Sequence, residues 1–317
     1  MTDSNRRELV VGPTLFGERV DRAVAMLLDC SRSRAVSLVE EGSVRVNGRI
    51  VSRAAKLREG DVVTVTTVDE QEIVPALVSV PMLYFDRDLA VIDKPAGLLV
   101  HRNGYSDRRA SVAESLAKQF PEIASLGGDR LRAGIVHRLD QTTSGVMVVA
   151  RSPLGYESLA TQVRDHKMTR KYVAVVSGSL EAERGEIDAP IGRRGGGRAG
   201  FGVTAGGRNA RTHYRRLSVS EDGRFSLVEV VLDTGRTHQI RVHFGAIDHP
   251  LLGDGLYGGA SEGGLARPAL HARELSFSHP ISKVSIRATS KLPRDLEELI
   301  ASLGLAPVGE LFGSRSE

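Results

Sequence analysis

The chain has 317 residues, 41% of them apolar and 26% charged, enough to bury a full core in one large domain and one smaller domain. Its 43 Lys and Arg stand against 39 Asp and Glu, a formal charge of +4, so contact with a polyanion is expected through local patches rather than through net charge. A single cysteine, Cys30, excludes an intrachain disulfide and a thiolate zinc cluster, which fits a reducing cytoplasm, and no apolar run is long enough for a leader or a membrane span.

Residues 1–16 read as an N-terminal extension with a short apolar patch, LVVGP. Val20, Ala23, Val24 and Leu27 then recur at helical spacing. A second helix, capped by Ser31 or Ser33, carries Ala35, Leu38 and Val39 and stops at Gly42. Residues 44–51 alternate on both sides of Asn47-Gly48, a hairpin signal, and Glu59-Gly60-Asp61 turns into another strand at 62–65. Two short helices, this hairpin and the EGD turn resemble the S4-type RNA-binding domain, here 17–68. The resemblance places Arg32, Arg34, Arg45 and Arg49 on the surface facing RNA; charge alone is equally satisfied by a solvated basic face. Residues 69–82, with acids, Pro75 and Pro81, read as a linker.

The large domain, 83–305, opens with strands at 83–85 and 89–92 around Asp86-Arg87-Asp88, followed by a strand, a Pro-Gly turn and a restart in DKPAGLLVH. Ser111 and Glu114 have the spacing of a capping box for a helix ended by Pro121. The stretch RAGIVHRLDQTTSGVMVVARS, 132–152, sets a polar segment between apolar Gly134-Ile135-Val136 and the strand-like 146–149. An ionisable side chain between buried strand-formers is normally paired or functional, which singles out Asp140, with Arg138 two positions before it. Gly145 permits a tight turn or a close backbone approach. A hairpin loop with a local salt bridge would satisfy the same residues.

GIVHRLD followed by TSG and an apolar strand resembles the signature of the RluA-type pseudouridine synthases, in which the Asp of HRLD is catalytic, here Asp140. The family more often carries Lys-Asp where this chain has Gln141-Thr142. DKPAGLLVH resembles its N-K-P-x-G-x-x-V-H motif with Asp93 for Asn, which implies supporting or RNA-facing roles for Lys94 and His101. After an amphipathic helix at 154–163, Arg170-Lys171-Tyr172 resembles the family's K-x-Y element, so Tyr172 is expected against the target base; core packing is the alternative. Residues 185–208, rich in Gly and Arg, lack any phosphate-loop pattern and read as a flexible basic insertion. Strands are expected at 212–215 and 225–232.

Thr234-Gly235-Arg236-Thr237-His238-Gln239-Ile240-Arg241 resembles the G-R-x-H-Q-I-R motif. Read as a strand, it sends Gln239, Arg241 and His243 to one face and Ile240 and Val242 into the core. Arg241 is then placed to pair with Asp140, with Arg236 as a phosphate anchor and His238 and Gln239 in support. HPLLGDGLYG and the segment from Leu270 to His279-Pro280 resemble the closing motifs, with Leu270 lining the site. His238, His243, His249 and Asp254 have no strong ligand spacing, so no metal is expected. A helix at 293–303 precedes a tail, 306–317.

The resemblance implies an α+β fold: a mixed, largely antiparallel central sheet with flanking helices, preceded by the small S4-type domain. The activity it implies is isomerisation of uridine to pseudouridine in structured RNA, without cofactor, by a monomer. Large-subunit ribosomal RNA or its assembly intermediate is the expected partner, as in the family's enzymes that carry an S4-type domain. His137 and Arg138 are implied as supporting or RNA-facing, Arg138 filling the space left by a flipped nucleotide or contacting phosphate. A tRNA enzyme and a noncatalytic RNA-binding or ribosome-assembly factor on the same scaffold are the rival readings. Asp140 serves as nucleophile or as base; its position in the sequence is compatible with both.

Overall fold

The structure, a computed structural model, describes residues 4–308 except 29, 31, 69–76, 103, 105, 106, 108 and 196–199. Two compact units emerge, one of residues 1–76 with 102–109 and one of 77–101 with 110–317.

The first unit is a four-stranded antiparallel sheet with two helices: β1 (Ser4–Val10), α1 (Val20–Leu28), α2 (Arg32–Glu40), β2 (Val44–Val46), β3 (Arg49–Ile50) and β4 (Val62–Val68), in strand order β1-β4-β2-β3. The helical stripes Val20, Ala23, Val24 and Ala35, Leu38, Val39 meet Val44, Leu57, Val63 and Val65 in one core. Asn47 and Gly48 have φ of 51° and 76°, the left-handed pair that a two-residue hairpin requires. Asn47 also ties the hairpin to the EGD turn: its Nδ2 donates to Asp61 Oδ1 at 2.8 Å, and its Oδ1 accepts from Val62 N at 2.9 Å.

Three sequence readings need correction here. The extension 1–16 contains β1, which pairs with β4 along its whole length, its backbone supplying the hydrogen bonds that cover that sheet edge. Ser33 lies inside α2, so it is not the cap; Ser31 and the side chain of Arg32 lie outside the described residues. Most of the expected linker, 69–76, also lies outside them, and Met82 already belongs to a strand.

The second unit is built on a nine-stranded sheet: β5 (Met82–Phe85), β6 (Leu89–Lys94), β7 (Ser144–Ala150), β8 (Thr169–Ser177), β9 (Arg184–Asp188), β12 (Arg211–Val219), β13 (Phe225–Leu232), β14 (Leu270–Ser278) and β15 (Ser285–Thr289). β10 (Ile191–Arg193) and β11 (Phe201–Val203) form a separate hairpin. The order is β5-β6-β7-β14-β8-β13-β12-β9, with β15 paired to β14. Every pairing is antiparallel except β7 with β14. Helices α3 (Val112–Gln119), α4 (Pro153–Arg164), α5 (Gln239–Ala246) and α6 (Arg294–Ser302) flank it.

All seven residues of β7 are buried, as its unbroken run of small and apolar residues requires of a strand covered on both faces. Ser111 Oγ caps α3 and donates to Glu114 at 2.9 Å; Ser152 Oγ caps α4, with Pro153 in the first turn. Within the Gly-rich segment 185–208 the chain forms β9 to β11; residues 196–199 lie outside the described residues. Its glycines hide the strand pattern because they make room for neighbours: a Cβ on Gly185 would lie 2.5 Å from the Tyr214 ring. The expected strand at 234–243 is instead a turn followed by α5. Gln239 to Phe244 are buried on all sides, and a fully covered helix loses the stripe that would distinguish it from alternation. Of the tail, Val308 packs beside Leu305, while 309–317 lie outside the described residues.

Candidate active site

Asp140 stands in the turn leading into β7, where Asp140 O accepts from Thr143 N at 3.1 Å. The turn is held from below by Lys94, which is fully buried and donates to Pro95 O, Leu98 O and Gln141 O at 2.9, 2.9 and 3.1 Å. Three carbonyls saturate the three donors of an ammonium. Burial pushes Lys94 down to about 7, opposed by the attraction of Asp140. Gly97 and Gln141 bond each other twice, through Gly97 N to Gln141 O at 2.8 Å and Gln141 Nε2 to Gly97 O at 3.0 Å. Beyond the turn, Gly145 has φ +119°, and a Cβ there would lie 2.1 Å from Ala272 O across the β7–β14 pair. The glycine is therefore required for close approach of two backbones.

The Asp140 carboxylate, half-buried, faces the start of α5. Arg241 Nη1 lies 3.4 Å from Asp140 Oδ2, whereas the same guanidinium makes two shorter bonds to the buried Asp254, Nε to Oδ2 at 2.6 Å and Nη2 to Oδ1 at 2.8 Å. Burial opposes the Arg241 charge, but Asp254 and then Asp140 outweigh it and hold Arg241 above its ordinary value. Its principal partner is thus Asp254, a correction to the sequence reading, which placed Arg241 with Asp140 alone. The Tyr257 ring lies under the guanidinium, 5.1 Å from its carbon. Tyr257 Oη accepts from Phe201 N at 3.2 Å and lies 2.9 Å from His238 Nδ1. His238 Nε2 lies 3.9 Å from Asp140 Oδ2. Burial keeps His238 below its ordinary value, with Asp140 pulling the other way. Asp254 and Tyr257 entered the sequence reading only inside HPLLGDGLYG and, for Asp254, as a rejected metal ligand; that motif was the available signal.

A pocket of about 520 Å³ opens in front of these groups, lined among others by His101, His137, Arg138, Asp140, Tyr172, Arg236, His238, Gln239, Arg241 and Leu270. Exposed Arg132, Arg138, Arg164 and Arg208 add a basic lining suited to phosphates. Tyr172 is buried on β8; burial raises its hydroxyl, Arg170 pulls it back and Asp140 adds to the rise, so the group stays a phenol. Gln239 is consumed internally: it accepts from Thr234 Oγ1 and Arg236 N, and donates to Arg211 O and Thr212 Oγ1. Arg236 donates to Asn209 O at 2.9 Å. His243 points away, to Thr212 Oγ1 and Ala189 O. Lys94 lies beneath the pocket rather than in its lining. Arg34, Arg45 and Arg49 belong to the first unit, the latter two exposed.

Residues 88–246, half of the chain, match the family model described as RNA pseudouridylate synthase, and 18–63 match the S4 domain. The chain belongs to the RNA pseudouridylate synthase family. It is therefore an RNA pseudouridine synthase, an isomerase of uridine in RNA, carrying an S4 domain near its N-terminus. It is 38% identical over 303 residues to an uncharacterized RNA pseudouridine synthase of Bacillus subtilis, covering 94% of this chain and 98% of that protein. It is 39% identical over 320 residues to the ribosomal large subunit pseudouridine synthase D of Xanthomonas campestris, covering 95% and 93%. Among solved structures, human RNA pseudouridylate synthase domain containing 4 aligns with TM-score 0.56 and 26% identity over 71% of this chain and 94% of that one. The α+β fold expected from the sequence agrees with these likenesses.

Proposed function

We propose that this pseudouridine synthase acts on large-subunit ribosomal RNA and that Asp140 starts the reaction as nucleophile or base. The observation that carries the second statement is the Asp140 carboxylate in a pocket large enough for a nucleotide, facing Arg241, which is itself held by Asp254. The name of the Xanthomonas campestris relative supports the substrate.

The target uridine leaves its stack and enters the pocket. The bond from ring N1 to the sugar C1′ breaks, a bond from ring C5 to C1′ forms, C5 loses a proton and N1 gains one. Atoms and electrons balance without a redox partner. Arg241 orients the carboxylate, Tyr172 packs against the base, and the arginines of the lining and of residues 17–68 grip phosphates. Residues 83–305 carry the chemistry, and the enzyme works as a monomer in the cytoplasm.

The test is nucleotide-resolution pseudouridine mapping of ribosomal and transfer RNA from cells with the gene, without it, and with Asp140→Asn only. Large-subunit sites absent from both defective strains are expected. Persistence of every site in the Asp140→Asn strain overturns the role of Asp140, and losses confined to transfer RNA overturn the substrate.

A further inference from the structure

Three side chains lining the pocket each bury a polar atom with no partner among the described residues: His137 Nδ1, Thr143 Oγ1 and Arg170 Nε. Buried polar groups are nearly always satisfied, so orphans on three residues that line one cavity point to a ligand. Their hydrogen-bonding sense can be read. His137 Nε2 accepts from Val148 N at 3.1 Å, and burial holds the ring neutral, with a value of about 3, so Nδ1 carries the hydrogen and is a donor. Arg170 is always a donor.

Arg170 is the unusual member. It is 8% exposed and makes no ion pair among the described residues; its Nη2 reaches only Leu232 O and Asp233 O, both at 3.5 Å. A buried guanidinium without a counter-charge is expensive to maintain. It stands two residues before Tyr172 on β8, so alternation turns both to the same face, and both are buried while Lys171 between them is half-exposed. Asp140 and Arg170 act on the Tyr172 hydroxyl with opposite sign. The guanidinium lies against Gly235, where a Cβ would come within 2.7 Å of Nη1.

We propose that Arg170, with the His137 Nδ1–H and the Thr143 hydroxyl, binds the carbonyl oxygens of the target uracil, and that Arg170 stabilises the negative charge the ring carries during the reaction. This rests on the function proposed above. When N1–C1′ breaks, its electron pair stays on the ring and spreads over N1 and both carbonyl oxygens; it is returned when C5 bonds C1′. A fixed cation beside those oxygens lowers the energy of that state without having to reorganise. The same donors disfavour cytosine, whose amino group in place of one carbonyl would leave buried donors unpaired.

The experiment is single-turnover conversion by the full chain in excess over ribosomal RNA from cells lacking the gene, and over a transcript of the same RNA with 5-fluorouridine for uridine. Fluorine itself stabilises the ring anion; with fluorine in place of hydrogen at C5 no proton can leave there, so that ring ends bonded to C1′ through C5 with water added at C6, and consumption of either base is followed by chromatography of the nuclease digest. Arg170→Met removes the charge. Gly235→Ala displaces the guanidinium at a residue without a left-handed φ, and carries the test if Arg170→Met does not fold. Each folded variant is expected to bind RNA within about threefold of wild type. Arg170→Met should convert uridine about 100-fold or more slowly, Gly235→Ala less severely, and both deficits should shrink at least tenfold on 5-fluorouridine. Rates near wild type, equal deficits on the two bases, or a loss explained by weaker RNA binding overturn the proposal. Asp140→Asn run alongside separates the two readings: retained activity there sinks the role of Asp140, whereas an inactive Asp140→Asn with a normal Arg170→Met sinks only the role of Arg170.

Discussion

Arg241 is bound more tightly to Asp254, at 2.6 and 2.8 Å, than to Asp140, at 3.4 Å. The guanidinium is therefore fixed from behind and presents one nitrogen to the pocket. Removing one partner of a buried pair costs about 3–5 kcal/mol, because the other charge is left unmatched. Asp254→Asn is expected to lose stability on that scale and to convert uridine at least about tenfold more slowly, a modest share of what one preorganised charge contributes. Chemical unfolding and single-turnover assays check this. A variant with unchanged stability would mean that Asp254 does not hold Arg241.

Two buried histidines make the fold acid-labile. Burial holds His137 at about 3 and His271 at about 4, against 6.5 for a free ring. His271 is engaged at both nitrogens, with Ser144 Oγ at 3.0 Å and Ser290 O at 3.4 Å. Because the folded values are depressed, the unfolded chain takes up protons first as pH falls through 6.5, and stability falls with it. Each histidine should cost roughly 2 kcal/mol between pH 6.5 and 5. Unfolding curves at the two pH values check the loss, and His271→Gln should flatten part of it. Equal stability at both would count against neutral burial.

Lys94 acts with the same sign in an alkaline window. Its folded value of about 7 lies below the 10.5 of a free lysine, so the cost of burying the ammonium is complete below about pH 7 and is relieved as pH rises toward 10.5. Relative to Lys94→Met, which cannot titrate, the wild type should gain up to about 1.4 kcal/mol per pH unit above 7. Parallel stability curves for the two proteins from pH 7 to 9 would contradict this. Lys94→Met should also slow conversion, since Gln141 O beside Asp140 loses a donor.

Two glycines separate backbone strain from collision. Gly97 has φ +90° with nothing within 4 Å of a Cβ, whereas Gly145 has φ +119° with Ala272 O at 2.1 Å. Gly97→Ala should cost about 1–2 kcal/mol of strain, and Gly145→Ala about 3 kcal/mol or more, since the β7–β14 pair must also separate. Thermal melts of both rank them; the reverse order would mean that β7 and β14 are free to shift.

Where the chain writes its structure locally, the sequence was enough. Asn47-Gly48 turns left-handed, Ser111 caps a helix, and the apolar run 146–149 is a strand. Those features depend on dihedral preferences and on neighbours a few residues away. Family motifs then led to Asp140, Tyr172 and Arg241, which the pocket brings together.

Pairing across the fold was a different matter. Residues 239–246 form a helix whose first six residues are buried all round, so their pattern carries no stripe, and only packing decides between helix and strand. Lys94 looked like a turn residue because its three carbonyl partners come from two separated loops. In the sequence Arg170 is only the first residue of Arg170-Lys171-Tyr172, and its isolation inside the pocket follows from where β8 sits in the sheet. Periodicity, caps and motifs are short-range signals, so the local elements and the family are legible along the chain. Which charges are paired and which stand alone follows from burial and partner distance, and those belong to the packed chain.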